Sequence, residues 1–122
     1  MKMVVAIIRH ERLQEVQDVL DACGVSGMTV SEVQGCGEQR GYTERYRGTT
    51  VNISLLHRLK IESVVPDEIV DKVVTQLAEA ARTGEVGDGK IFVLNVEQAI
   101  QIRTGENGPQ TIQHQNPQKW GH

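Results

Sequence analysis

The spacing of apolar side chains alternates along this chain between a period of two and a period of about 3.6, and that alternation restricts the fold more than any other feature. Short aliphatic or alternating runs predict strands, and repeats at helical spacing predict amphipathic helices. The predicted strands cover residues 2–8, 27–33, 58–65 and 91–94, and the predicted helices cover residues 11–23 and 67–83. Asp67 is the expected N-cap of the second helix.

The resulting order is strand, helix, strand, strand, helix, strand. Two strand–helix–strand halves with right-handed crossovers predict an α+β fold, the ferredoxin-like βαββαβ sandwich, in which both helices cover one face of a single sheet. The opposite face also carries apolar residues, and the pattern supplies no third helix to cover it. We therefore expect that face to form a subunit interface.

Three segments lie outside this pattern. Residues 37–54 contain three glycines, two tyrosines and closely spaced charges, without a sustained apolar period. A loop of this length is usually functional or mobile, and a β-hairpin with residues 49–53 as its return strand is the alternative. Residues 99–103 are a candidate for one more short strand. The Gln- and Asn-rich residues 107–122 have little to bury, so we expect a domain over residues 1–106 followed by a disordered tail.

Charge and composition argue against several classes of protein. A net charge of −3 disfavours a nucleic-acid-binding surface, which needs a basic excess. No apolar run reaches the roughly 18 residues of a membrane-spanning helix, and the apolar N-terminal segment is too short for a signal peptide. The two cysteines have no CxxC spacing and the four histidines are dispersed, so we assign no disulfide and no metal ligand. These features favour a cytoplasmic protein with no membrane insertion.

The strongest candidate for a ligand site is the segment Thr-Gly-Glu-Val-Gly-Asp-Gly-Lys at residues 83–90. Closely spaced glycines let successive backbone N–H groups face one concavity, and Lys90 adds a positive charge beside it. The spacing differs from that of a Walker A loop, and such a segment taken alone is more often a plain turn. Glycines and cations recur at residues 35–40 and 103–106, and three such clusters at strand ends suit a phosphorylated ligand at an interface.

Several motifs follow one another without gaps over residues 1–106, at residues 27–30, 35–37, 46–48, 60–62, 64–67, 83–93 and 103–106. In these motifs the chain resembles the P-II family of signal-transduction proteins. The resemblance implies a homotrimer that binds ADP, AMP or ATP in three clefts between subunits. It also implies that residues 37–54 are a long protruding loop, which reads an effector and contacts a target enzyme or membrane transporter.

The resemblance further implies which residues hold the ligands. Phosphates would be held by Gly87, Asp88, Gly89 and Lys90, with Arg103 from the same neighbouring chain. Gly35, Gly37 and Gln39 would come from the other side of the cleft. Adenine and ribose would contact Ile7, Met28, Thr29, Glu62 and Val64. The effector, 2-oxoglutarate in this family, would contact Gln39, Arg40, Gly41 and Arg58.

Departures from the family pattern bear on the choice of ligand. Glu38 and Gln101 stand where the family has arginines, which disfavours the extra charge of a γ-phosphate and predicts a preference for ADP or AMP over ATP. Arg58 replaces a lysine and keeps the charge but not the geometry, so bicarbonate or another small anion is an alternative effector. Gln39 is retained, so Mg²⁺ chelation with ATP stays open. Val51 replaces the tyrosine that is uridylylated in many members, which excludes that modification at this position.

The leading interpretation is a regulator without chemistry of its own, and we assign no catalytic residue. The first alternative is slow nucleotide hydrolysis in the same cleft, although no nucleophile or histidine stands in a recognisable catalytic arrangement. The second alternative is a trimeric metal-binding protein of the same fold, since one fold serves many functions.

Overall fold

The computed structural model describes residues 1–35, 44–46, 49–51 and 55–112. Its strands and α-helices are β1 (Lys2–Ile8), α1 (Leu13–Ala22), β2 (Thr29–Gly35), β3 (Glu44–Tyr46), β4 (Thr49–Val51), β5 (Leu56–Val65), α2 (Val70–Ala81) and β6 (Lys90–Asn95). Short 3-10 turns precede the two helices, at His10–Arg12 and Asp67–Ile69, and another follows β6 at Pro109–Ile112. Within these described ranges, no helix is both long and apolar enough to cross a bilayer.

One antiparallel sheet holds the strands in the order β2-β5-β1-β6. The central strand β1 pairs with β5 on one side, where Ile7 lies opposite Lys60, and with β6 on the other, where Ile7 lies opposite Lys90. Both helices contribute to a single core on one face of this sheet. The predicted α+β ferredoxin-like fold is confirmed.

The core follows directly from the two periodicities. On β1, the alternate residues Val4, Ala6 and Ile8 are buried against the helices. Val16 of α1 and Leu77 of α2, each at most 1% exposed, fill the facing surface. Burying side chains of this size stabilises the fold by roughly 1.5–3 kcal/mol each. The core therefore holds the sheet rigidly, and the sheet in turn positions the residues at its edges.

The other face of the sheet is open in the single chain. Phe92 and Leu94 of β6 are 51% and 45% exposed, and they lie opposite Val5 and Met3 of β1 on that face. Apolar side chains that cluster on an exposed sheet face are typical of an interaction surface. The predicted trimer, which would cover this face, stays a prediction.

Several predicted local features need correction. The strand expected at residues 27–33 lies two residues later, at Thr29–Gly35. Asp67 makes no capping hydrogen bond, because a 3-10 turn separates it from α2, and its carboxylate pairs instead with the Met1 amino group at 2.8 Å. Residues 99–103 form no strand; Ile100 makes one isolated bridge to Asn107 across a turn.

The loop and the tail are described in part. β3 and β4 pair as a two-stranded hairpin, so the hairpin alternative holds for residues 44–46 and 49–51. The remaining positions of residues 37–54 lie outside the described residues. We expected disorder from residue 107 onward, whereas Pro109–Ile112 form a 3-10 turn. Residues 113–122 lie outside the described residues, and the domain boundary at residue 106 stays a prediction.

Candidate functional site

The glycine-rich loop between α2 and β6 is built around the carboxylate of Asp88. One oxygen of that carboxylate accepts hydrogen bonds from the backbone N–H groups of Thr83 and Gly84, at 2.9 and 2.8 Å. The other oxygen accepts from the Thr83 hydroxyl and, at 3.1 Å, from Nε of Arg9. Both oxygens of Asp88 are therefore occupied within the protein. Its carboxylate orders the loop, and the ligand-binding role that the resemblance implied for it stays a prediction.

The same contacts keep Asp88 ionised. The hydrogen bond from the Thr83 hydroxyl is the main cause that holds the pKa of Asp88 well below its usual range. Partial burial of the carboxylate acts in the opposite direction, and the amides of Thr83 and Gly84 and the Arg9 guanidinium outweigh it. The loop is consequently organised around a fixed negative charge on its inner side, across the acid range in which ordinary aspartates titrate.

Gly89 brings the end of this loop against β1. Its φ is +100°, and a Cβ at this position would overlap the carbonyl oxygen of Ile7. Any other residue would force the loop and β1 apart, since the obstacle is backbone and cannot rotate away. Glycine at this position therefore allows the loop to lie directly against β1, where β6 begins at Lys90.

Two arginines, Arg9 directly after β1 and Arg58 in β5, contact the carbonyl groups of the loop. Arg9 donates from Nη2 to the carbonyl of Val86 at 3.0 Å, and Arg58 donates from Nη2 to the carbonyl of Gly87 at 3.1 Å. Both guanidinium groups come within 3.3 Å of the point where a Cβ of Gly87 would stand. The charge of Arg9 is paired with the ionised Asp88, so among the described residues Arg58 and exposed Lys90 make this corner of the sheet attractive to anions.

Arg9 was not identified from the sequence. The register pairs Ile8 with Leu59, so the chain beyond each of these residues brings Arg9 and Arg58 side by side. A signal was nevertheless present, because Arg9 is a cation that stands directly after a buried strand. Recognising it requires knowing that β1 and β5 are neighbours, which the local pattern does not state.

A cavity of about 310 Å³ lies beneath this loop, at the β6 edge of the sheet. Ile7, Asp88, Gly89 and Lys90, four of the predicted nucleotide-binding residues, line it. Its remaining lining is largely apolar and comes from α2 and the adjoining strands, namely Ile8, Val74, Ala78, Ala81, Arg82 and Ile91. The structure therefore places Asp88, Gly89 and Lys90 beside Ile7, which the resemblance had grouped with the adenine and ribose residues instead.

A second cavity, of about 350 Å³, lies at the opposite edge of the sheet, beside β2. It is lined by four other predicted residues, Met28, Thr29, Glu62 and Val64. Ser63, which is buried, donates to the carbonyl of Gly27 and so ties the approach to β2 to strand β5. Met3 completes the strand side of the cavity, and Thr111 and Ile112 close the far side. The last two residues were assigned to the tail and were not predicted to contribute to a site.

The two groups of predicted residues lie apart within one chain. Met28 and Thr29 belong to the β2 edge, whereas residues 87–90 belong to the β6 edge. Three strand spacings of about 4.8 Å separate these edges, or about 14 Å. Ile7 and Glu62 lie on the central strands between them. In a single chain the two groups therefore line separate cavities.

The other predicted residues fall in three places. Gly35 ends β2 and pairs with Leu56. Arg103 is exposed in the turn that follows β6. Four predicted residues lie outside the described residues, namely Gly37, Gln39, Arg40 and Gly41. Glu38 lies outside them as well.

Comparison with known proteins gives a consistent result. The family described as Nitrogen regulatory protein P-II matches residues 1–106. The chain is 53% identical over 112 residues to nitrogen regulatory protein P-II 2 of Methanothermobacter thermautotrophicus, covering 92% of this chain and 97% of that protein. It is 54% identical over 112 residues to the nitrogen regulatory proteins P-II of Nostoc punctiforme and of Synechocystis sp., covering 92% of this chain and 100% of each relative.

Proposed function

The chain belongs to the family of nitrogen regulatory proteins P-II, and from that premise we propose that it is a non-enzymatic cytoplasmic regulator that binds adenine nucleotides between subunits of a homotrimer. Nucleotide and a small anionic effector shift the conformation of residues 37–54. That shift changes how the loop fits a target enzyme or transporter of nitrogen or carbon metabolism.

The distribution of charge between the two edges of the sheet carries this proposal. The β6 edge combines exposed Lys90 with the nearby guanidinium of Arg58, which suits phosphate oxygens, and the carboxylate at this edge, that of Asp88, is already paired with Arg9. The β2 edge combines apolar walls with one carboxylate, that of Glu62, which repels phosphate and suits a base with its ribose. A nucleotide has the same division into an apolar ring and an anionic end, so each edge matches one half of it.

The separation of the edges supports a site shared between chains. In one chain the residues around Lys90 and those around Thr29 line different cavities at opposite edges of the sheet. Packing the β2 edge of a neighbouring subunit against the β6 edge brings both halves to one ligand. Repeating that contact around a closed ring also covers the apolar open face, including Phe92 and Leu94.

The effector in this proposal binds beside the phosphate loop. Arg58 and Arg9 supply two planar guanidinium groups there, and their contacts with the carbonyls of residues 86 and 87 link the effector to the nucleotide. A carboxylate of 2-oxoglutarate suits such a fork, and bicarbonate is the smaller alternative. Gln39, Arg40 and Gly41 join Arg58 in this role.

The preference among AMP, ADP and ATP follows from two positions at which the sequence departs from the family pattern. Glu38 and Gln101 replace two cations, and each lost charge-assisted contact to a phosphate costs about 1.5–3 kcal/mol. The γ-phosphate loses most, because it carries the charge that distinguishes ATP. We therefore propose that ADP or AMP binds more tightly than ATP, and that added Mg²⁺ reduces the difference.

Isothermal titration calorimetry with AMP, ADP and ATP tests this function, with and without Mg²⁺, 2-oxoglutarate and bicarbonate. Lys90→Ala removes the loop cation and is expected to weaken the binding of ADP by about 10-fold or more. Lys72→Ala removes the same charge from an exposed position on α2 and is the matched control. Light scattering of the same samples measures the assembly. Absence of heat with all three nucleotides, or a monomer at every concentration, contradicts the proposal.

A further inference from the structure

The cavity at the β2 edge has a wall that the family resemblance did not predict. One side includes the apolar residues Met3, Met28 and Val64, and the small or polar residues there are Ser26, Gly27, Thr29, Glu62 and Ser63. Its other side consists of Thr111 and Ile112, both half-buried. The volume of about 350 Å³ lies within the range of about 300–1,000 Å³ that is typical of ligand pockets.

The chain reaches this cavity by crossing the end of the sheet. It leaves the β6 edge after Asn95, and the N–H of Val96 then donates to the carbonyl of Met1 at 3.1 Å. Residues 99–108 fold into a closed turn, in which the N–H of Gly108 donates to the carbonyl of Ala99 at 3.0 Å. The segment thus arrives at the β2 edge along a path that backbone hydrogen bonds specify.

The last turn of this path is fixed by Thr111. Its N–H and its hydroxyl both donate to the carbonyl of Gly108, at 3.1 and 2.8 Å. The hydroxyl is therefore used within the turn, and Thr111 acts as a positioning residue. Ile112 follows it directly and contributes an apolar side chain to the cavity. Facing it across the cavity are the apolar groups of Met3, Met28 and Val64.

We propose that Ile112 contacts the base of the bound nucleotide and forms the outer wall of the base subsite, with Thr111 positioning it. This inference rests on the proposed function and adds a base-contacting residue to it. A flat aromatic ring between apolar walls gains affinity from the area it buries, and that gain does not depend on how many phosphates follow. The charges that recognise the phosphates lie at the other edge of the sheet.

The number of phosphates provides the test. In calorimetric titrations of the full chain, Ile112→Ala is expected to weaken AMP, ADP and ATP by the same factor, about 5- to 20-fold, with Ile112→Val in between. Lys90→Ala is expected to weaken the three nucleotides by a factor that grows with phosphate number. Circular dichroism of each variant checks the fold, which Ile112 does not enter as a core residue.

The matched control is Gln110→Ala. Gln110 lies on the same turn, is exposed, and bonds the carbonyl of Asn107 without lining the cavity. We expect the Gln110→Ala variant to bind AMP, ADP and ATP with the affinities of the wild-type protein. If Gln110→Ala weakens binding as much as Ile112→Ala, the turn matters and the side chain does not, which overturns the inference. If the wild-type protein binds nucleotides and Ile112→Ala binds them equally tightly, this inference is wrong and the proposed function is unaffected. No binding of any nucleotide by the wild type refutes the proposed function itself.

Discussion

Two glycines of the phosphate loop differ in one respect, and that difference makes a sharp prediction. Gly84 and Gly89 have similar positive φ angles, +89° and +100°. A Cβ at Gly84 would enter open space, whereas a Cβ at Gly89 would overlap the carbonyl of Ile7. Replacing each by alanine therefore introduces the same backbone strain at both positions but a steric conflict at only one.

The magnitudes can be worked separately. A positive φ costs alanine about 1–2 kcal/mol, and the loss of unfolded-state freedom returns about 0.4–1 kcal/mol. Gly84→Ala is therefore expected to lower the free energy of unfolding by about 1 kcal/mol. The overlap at Gly89 adds the cost of overpacking, about 1–3 kcal/mol, because neither the loop nor β1 has a side chain that can turn aside. Gly89→Ala is expected to lose about 2–4 kcal/mol in total.

Urea unfolding followed by far-UV circular dichroism measures both variants at one protein concentration. With a slope of about 1–3 kcal/mol per molar urea, the two midpoints should differ by about 1 M. The backbone strain and the unfolded-state effect are the same in both variants, so the difference between their free energies of unfolding reports the contact of residue 89 with Ile7. Midpoints that agree within about 0.3 M, less than the smallest expected overpacking cost, refute the close approach of Gly89 to β1.

Two further predictions concern the contacts that hold the loop and the helices. Asp88→Asn leaves only one accepting oxygen and should cost about 2–4 kcal/mol at pH 7 in urea melts. Because the folded pKa lies below the unfolded value of about 3.9, this contribution is complete above that value and is lost as the pH falls through the folded pKa. The gap between variant and wild type should therefore narrow in acid; a constant gap contradicts the assignment. Arg12→Gln removes two hydrogen bonds to the carbonyl of Ala80, at 2.9 and 2.7 Å, and should cost about 1 kcal/mol in the same melts. Arg82→Gln, at an exposed position with no side-chain hydrogen bond to a described residue, is its control. An equal loss of stability in that variant contradicts the contribution assigned to the hydrogen bonds from Arg12 to Ala80.

Local patterns in the sequence determined the elements and their order. The short aliphatic run of residues 2–8 and the helical period in residues 11–23 are properties of neighbouring side chains, so they can be recognised without knowing the fold. The glycine loop at residues 83–90 was recognisable for the same reason, since its glycines and Lys90 are adjacent. The family resemblance added roles for these residues and depended on the same short motifs.

The predicted local structure was wrong where the neighbouring residues are compatible with more than one backbone conformation. Asp67 has the composition of an N-cap, but the chain turns through a 3-10 segment before α2 begins. Residues 99–103 have the composition of a strand, but Gly105 and Gly108 allow a closed turn with positive φ instead. Asp67 pairs with the distant amino group of Met1, whereas the turn at residues 99–108 is closed by hydrogen bonds within the segment itself.

The amino-acid sequence by itself determined which segments become strands and helices, which residues carry charge, and where glycines permit an unusual backbone. Only the tertiary structure decided that Arg9 reaches Asp88, 79 positions away. It also decided that Met28 and Lys90 lie at opposite edges of one sheet, and that Ile112 returns to the β2 edge. The physical reason is that strand order and register depend on pairing between remote segments, which the period of any single segment leaves open.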